Sequence, residues 1–274
     1  DVLAKTTLSA DFSTVNEITS SPAADVISLY ASDIASGLGE ADITLNDTTI
    51  DAASLNSIND DTSGDITIEA TTIEGSTADL ETALTNDGTG VVAAGLENID
   101  VTVTSSTTTV DVDALEDVLD DSIALGGTGV VSLASNVTTL EGNVAAALAV
   151  QTDVSTGEAS TDILALDFVL TDTTVAVANI NTLQGDVTGS ITATIAESTA
   201  ATVTGLTGTG HAFTIALAEN TLDADAIVDI AATTTETITI TSTDGAQVIN
   251  GTAGNILSVV NGDFTGIQDD FAST

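Results

Sequence analysis

Cysteine, methionine, tryptophan and arginine are missing from this 274-residue chain, and lysine, histidine, proline and tyrosine occur once each. Without cysteine there are no disulfides, no thiolate metal sites and no cysteine nucleophile. The single cation, Lys5, stands against 42 acidic residues, for a formal charge of −41. Nucleic-acid binding requires cations to displace phosphate counterions, so that class is excluded, as is binding to anionic membranes. The sequence shows no signal peptide and no long apolar span. The chain begins at Asp1 and has no methionine, so it reads as a processed product or an excised segment.

Such a charge alone suggests a disordered chain. Against it, 42% of residues are hydrophobic and the mean hydropathy is +0.36. The apolar residues are Val, Ile, Leu and Ala with few aromatics, which suits thin stacked layers. The chain is expected to fold.

What is abundant is repetition. Residues 44–67, TLNDTTIDAASLNSINDDTSGDIT, return without a gap as residues 169–192, VLTDTTVAVANINTLQGDVTGSIT. An apolar–Thr–apolar triplet recurs around Thr44, Thr67, Thr102, Ser132, Val169, Thr192, Thr214 and Thr239. Its alternation predicts a strand with aliphatics inside and hydroxyls outside. A second short strand follows at 48–50, 71–73, 108–110, 138–140 and 173–175. Ala-rich helical segments then come at 51–58, 77–84, 111–119, 143–150 and 223–230. Asp51, Ser76 and Asp111 stand where N-caps are expected. Each helix is too short to persist alone and must dock on the strands. Gly64, Gly129 and Gly189 lie three residues before a strand centre, whereas Gly90 and Gly157 lie twelve before, which suggests a larger two-coil unit.

These features predict a mainly β fold. They fit a parallel β-solenoid with coils of strand, short strand and short helix, each about 22–37 residues long. The array spans 41–245. Residues 1–40 form an off-pattern N-terminal segment and possible assembly arm, and 246–274 a terminal coil and tail. The alternative is a β-sandwich filament subunit in which residues 1–20 are lent to a neighbour as a donor strand. Neither end reads as a polar cap, so self-association into a filament or array is expected.

The phrase DTTI-x-AA-x-LN at 47–56 resembles repeats in giant, acidic, Thr- and Ala-rich bacterial surface proteins, notably from marine cyanobacteria. The resemblance covers 43–84 and 168–195 best. It implies a secreted or cell-surface structural role and carries no catalytic residues.

The candidate site is acidic. Asp60, Asp61, Asp87, Asp120, Asp121, Asp153 and Asp186 follow the helical segments of successive coils. Stacking would bring like charges ~5 Å apart, costing roughly 1 kcal/mol per pair in water. Ca²⁺, a hard cation taking several oxygens, is the natural compensation. A solvated face with diffuse counterions is the other reading, since no EF-hand loop or glycine-rich nonapeptide is present. Asp223, Asp225 and Asp229 read as a solvated face, His211 as a turn histidine, Lys5 as a surface cation and Tyr30 as a packed ring. The Thr column could form a flat recognition face, but Thr is also the ordinary outward residue of a strand. The N-x-T sequons at Asn46, Asn136 and Asn250 carry little weight.

The expected function is therefore structural and non-enzymatic: an extracellular filament subunit or a segment of a giant cell-surface protein. A Ca²⁺-dependent adhesin or stalk is the alternative. A polysaccharide-active solenoid enzyme comes third, lacking the aromatic platforms and cations that such substrates favour.

Overall fold

The computed structural model describes residues 10–32, 35–85, 95–241, 248–261 and 267–268. In chain order the elements are β1 (Ala10–Asp11), β2 (Glu17–Ser21), α1 (Ala23–Tyr30), β3 (Ala35–Ser36), β4 (Asp42–Leu45), β5 (Thr49–Asp51), α2 (Ala52–Asp61), β6 (Ile66–Ile68), β7 (Thr72–Gly75) and α3 (Thr77–Thr85). Then come β8 (Asp100–Val103), β9 (Thr109–Asp111), α4 (Val112–Ala124), β10 (Val131–Leu133), β11 (Thr139–Gly142), α5 (Val144–Thr156), a 3-10 helix (Thr161–Ala165), β12 (Asp167–Leu170) and α6 (Val177–Gln184). The remainder comprises β13 (Ile191–Thr194), α7 (Ala200–Val203), β14 (Ala212–Ala218), β15 (Thr221–Asp223), α8 (Ala224–Ala231), β16 (Ile238–Thr241), β17 (Val248–Asn250), α9 (Ala253–Asn261) and β18 (Ile267–Gln268).

The chain divides into two compact units. One comprises 1–108, 114–137 and 153–163, the other 109–113, 138–152 and 164–274. In the first unit, β2-β4-β6 form one parallel sheet, β5-β7-β8-β10 a second, and β1 pairs with β3. In the second, β9-β11-β12-β13-β14-β16-β18 form a seven-stranded parallel sheet, and β15 pairs with β17.

The described residues are about 37% helix and 28% strand, so the expectation of a mainly β fold is corrected to mixed α/β. The helices run past the periodic segments that announced them. The segment at 111–119 becomes α4 of 13 residues, and that at 143–150 becomes α5 of 13. The strands hold mostly three or four residues. The donor-strand sandwich is also overturned: every pairing among the described residues is parallel, and β2 pairs within the chain, with β4. Strand–helix order already begins with β2 and α1.

The local reasons are plain. Strand residues alternate between buried and more exposed, most fully in β14, where Phe213, Ile215 and Leu217 point inward. Helices bury positions i, i+3 and i+6: Ala52, Leu55 and Ile58 in α2, Val177, Ile180 and Leu183 in α6, and Ala224, Ile227 and Ile230 in α8. Each such Leu or Ile contributes about 1.5–3 kcal/mol on burial. The expected caps are present. Asp51 accepts from the Ser54 N–H at 2.8 Å, Ser76 Oγ from the Asp79 N–H at 3.2 Å, and Asp111 from the Asp113 N–H at 2.9 Å.

The repeated phrase is one coil in both places. Its first and last residues are cross-strand partners, Thr44 with Thr67 and Val169 with Thr192. The two long connections mark a change of partner. β8, the first strand of its coil, pairs with β7, a second strand. β12 likewise pairs with β11. Before β12 the chain lays Ala159 beside Val131, with Val131 N–H donating to Glu158 O at 3.0 Å and Ser160 N–H to Val131 O at 2.8 Å. Gly90 lies outside the described residues.

The three glycines that lie three residues before a strand centre are among those required by close approach. A Cβ on Gly64 would stand 2.3 Å from Ala41 O, on Gly129 1.9 Å from Ile99 O, and on Gly189 1.9 Å from Leu166 O. Each obstacle is backbone of the preceding coil. Gly129→Ala or Gly189→Ala is expected to lower stability by about 1–3 kcal/mol, the cost of overpacking. Gly254→Ala, whose Cβ meets nothing within 4 Å, leaves the midpoint unchanged or raises it. Denaturant unfolding of the three variants checks this.

Candidate functional site

A chain with one cation must satisfy its carboxylates with N–H groups, and the structure does so between successive coils. The first N–H of a helix is an orphan donor at the positive end of the helix dipole. Here a carboxylate of the following coil accepts it. Ala23 of α1 donates to Asp47 Oδ2 at 2.8 Å, and Val144 of α5 to Asp172 Oδ2 at 2.7 Å. Val177 of α6 donates to both oxygens of Glu197 at 3.0 and 3.1 Å, and Ala200 of α7 to Glu219 at 2.8 Å.

A second clamp sits where the first strand begins. Asp42 Oδ1 accepts the Asp65 N–H at 2.9 Å, Asp100 Oδ1 the Val130 N–H at 3.0 Å, and Asp167 Oδ1 the Ser190 N–H at 2.8 Å. The donor in each case immediately follows the closely packed glycine. In the other direction, Asp113 accepts from the backbone and side chain of Asn143. Asp225 accepts from the Thr252 N–H, the Thr252 hydroxyl and Asn255 Nδ2, which hold its carboxyl below the usual range.

These acceptors escaped the sequence reading, which looked for metal ligands in the turns. The signal was available: an Asp directly precedes the apolar–Thr–apolar triplet at Asp42 and Asp100 and its counterpart at Asp167, and Asp47 and Asp172 occupy equivalent places in the repeated phrase. Asparagines act likewise. Asn56 Nδ2 donates to Asp79 O at 2.9 Å and Asn181 Nδ2 to Gly205 O at 2.6 Å. The sequon residues Asn46 and Asn136 spend their amides on Ser20 O and on Ser105 O and Thr107 O.

The sequence-predicted acidic residues take different places. Asp60 and Asp61 end α2 and are exposed. Asp120 and Asp121 lie within α4 and Asp153 within α5, because both helices outrun their expected ends. Asp186 follows α6 and accepts from Gln151 Nε2 at 2.7 Å. Asp87 lies outside the described residues, as does Lys5.

Asp120 comes within electrostatic reach of both Asp121 and Asp153. Burial first, then the carboxylates of Glu81, Asp117 and Asp120, push Asp121 above the usual range. Burial, then Glu158 and Asp120, do the same to Asp153. An open cleft of about 260 Å³ beside Glu158 is lined also by Ser122, Ile123 and Gly126. Among the described residues no three His, Asp or Glu side chains converge as a metal-ion group.

The Thr column is interrupted. Thr44 pairs with Thr67 and Thr102 with Ser132, whose hydroxyls lie 3.3 Å apart. Thr102 also stands beside Glu74, and Thr192 beside Ala212. Thr239 stands beside Ala216. The partner changes break the hydroxyl face. Among the described residues, no helix is long and apolar enough to cross a membrane.

The described residues thus form parallel sheets with alternating strands and helices, in which α1, α5, α6 and α7 are capped by carboxylates from later in the chain. The chain matches no family model, no curated protein and no solved structure.

Two consequences are testable. Removing a clamp, as in Glu197→Ala or Asp172→Ala, is expected to cost about 0.5–2 kcal/mol, the scale of a lost helix cap. Glu197→Gln keeps an acceptor and loses less; urea unfolding ranks the three. The raised carboxyls set a pH dependence. Folded pKa values above the unfolded ones give stability that is present at low pH and lost as pH rises through the folded values. Asp121→Asn and Asp153→Asn are therefore expected to raise the unfolding midpoint at pH 7 and flatten its rise towards pH 4.5, as followed by circular dichroism.

Proposed function

We propose that the chain is a structural, non-catalytic segment of a secreted or cell-surface protein. In this reading it is a parallel solenoid that joins copies of itself end to end or side by side. The observation that supports it is the coil-to-coil clamp. A carboxylate set against the helix N-terminus of an adjoining coil needs only backbone geometry, so the same contact can form between coils of neighbouring copies. The last described helix supports it as well: Leu257 and Val260 of α9 and Val248 of β17 are large apolar residues left exposed. The charge of −41 keeps such assemblies dispersed from one another and makes their spacing respond to salt.

A second reading, a cation-dependent adhesin or stalk, is favoured by the crowded carboxylates around Asp121 and Asp153. A divalent cation held loosely there would relieve their mutual repulsion without a built cage.

Electron microscopy of the purified chain in millimolar Ca²⁺ and in EDTA tests both. Filaments or lateral arrays are expected. Their loss in EDTA would make the cation part of the assembly. Compact single particles under both conditions would overturn assembly and leave the stalk.

A further inference from the structure

His211 is the only imidazole of the chain, read from the sequence as a turn histidine; the structure buries it, at 9% exposure. It stands between neighbouring strands. Its backbone bridges to Thr234 and its carbonyl accepts the Thr235 N–H at 2.8 Å and hydroxyl at 3.1 Å. The ring stacks on Phe213 at 5.3 Å with 29° between planes. Its Nδ1 accepts the N–H of Ile191, the first residue of β13, at 3.1 Å. On the other side Nε2 faces Gly208, where a Cβ would come within 3.1 Å. An imidazole accepting at Nδ1 is neutral and carries its proton on Nε2.

We propose that His211 is a proton-sensitive latch: taking up a proton at Nδ1 turns its acceptor into a donor against the Ile191 N–H and loosens the pairing of β13 with β14. Two N–H groups then point at each other, and the new charge is left in an apolar place. The elements around the ring offer little to compensate. α6, β13, β14, β16 and the 204–210 turn carry no titratable side chain. The nearest segments supply Asp167, which accepts the Ser190 N–H, Asp186, which accepts from Gln151, and Glu236 in the turn before β16. None of the three contributes to the ring's shift, which burial alone drives below the ordinary value of 6.5. Stacking on Phe213 favours a cation, but weakly beside the cost of burial.

The sign follows from that direction. With a folded pKa below the unfolded one, the latch contributes fully above about pH 6.5 and is lost as pH falls towards the folded value. This opposes the effect of Asp121 and Asp153, so the test must isolate the histidine.

The full chain, ¹⁵N-labelled, is titrated from pH 8 to 4.5 by NMR, reading the single imidazole and the exchange protection of the Ile191 amide. The expected result is the Nε2–H tautomer at neutral pH and a titration midpoint below 6.5. Ile191 protection should fall about tenfold per pH unit between 6.5 and that midpoint. His211→Gln, which keeps an acceptor that does not titrate, should abolish the pH dependence at Ile191. An Nδ1–H tautomer, a midpoint at or above 6.5, or Ile191 protection that ignores pH would each overturn the latch. Should the variant fail to fold, the wild-type titration alone decides.

Discussion

The structure depends on carboxylates that accept backbone N–H groups from the adjoining coil. With 42 acidic residues and one cation, side-chain ion pairing can serve few of the carboxylates. A helix N-terminus supplies both an unpaired donor and a favourable dipole, so placing a neighbour's Asp or Glu there satisfies two needs at once. Asp47, Asp172, Glu197 and Glu219 do this, while Asp42, Asp100 and Asp167 clamp the entry to the next strand. Part of the acidity is thus structural. Two other acidic residues, on the last turns of α4 and α5, lie at the unfavourable end of the dipole, where burial and neighbouring carboxylates raise Asp121 and Asp153.

The same constraint explains why the chain repeats itself. In both copies of the phrase, equivalent residues do equivalent things. Asp47 and Asp172 cap the preceding coil's helix. Leu55 and Ile180 are buried in the helix face, as are Ile58 and Leu183. Asn56 and Asn181 reach a carbonyl of the next coil. Gly64 and Gly189 let the backbone pass against the previous coil's carbonyl. A coil that must hold the one before it and receive the one after has little freedom at these positions, and more elsewhere. Asp51 caps its own helix. Ala176, in the matching place, does not, and Glu197 serves instead.

The coils are not interchangeable units simply stacked in line. After each long connection the first strand takes a second strand as partner, β8 on β7 and β12 on β11. In the connection before β12, Ala159 fills the edge that β10 would otherwise leave open. A slip of partner interrupts any continuous column of outward side chains. The Thr face is accordingly split into short runs.

Much of this was legible in the sequence. Period-two alternation placed the first and second strands, because burial on one face demands it. Three- and four-residue spacing placed the helices, and Asp51, Ser76 and Asp111 marked where they start. Glycines three residues before a strand signalled close passage. Other features rested on contacts between residues some 20–30 apart, which no local pattern encodes. Helix ends were not among them, since α4 and α5 stop at the positive-φ glycines Gly126 and Gly157, a local signal. The choice of strand partner was, because an apolar–Thr–apolar triplet fits equally beside a first or a second strand. So was the fate of Asp186, whose Gln151 partner lies 35 residues earlier. His211 shows the limit most clearly. The turn-like GTGHAF around it hides a ring buried by Phe213 and Ile191, and only the meeting of strands in space decides that.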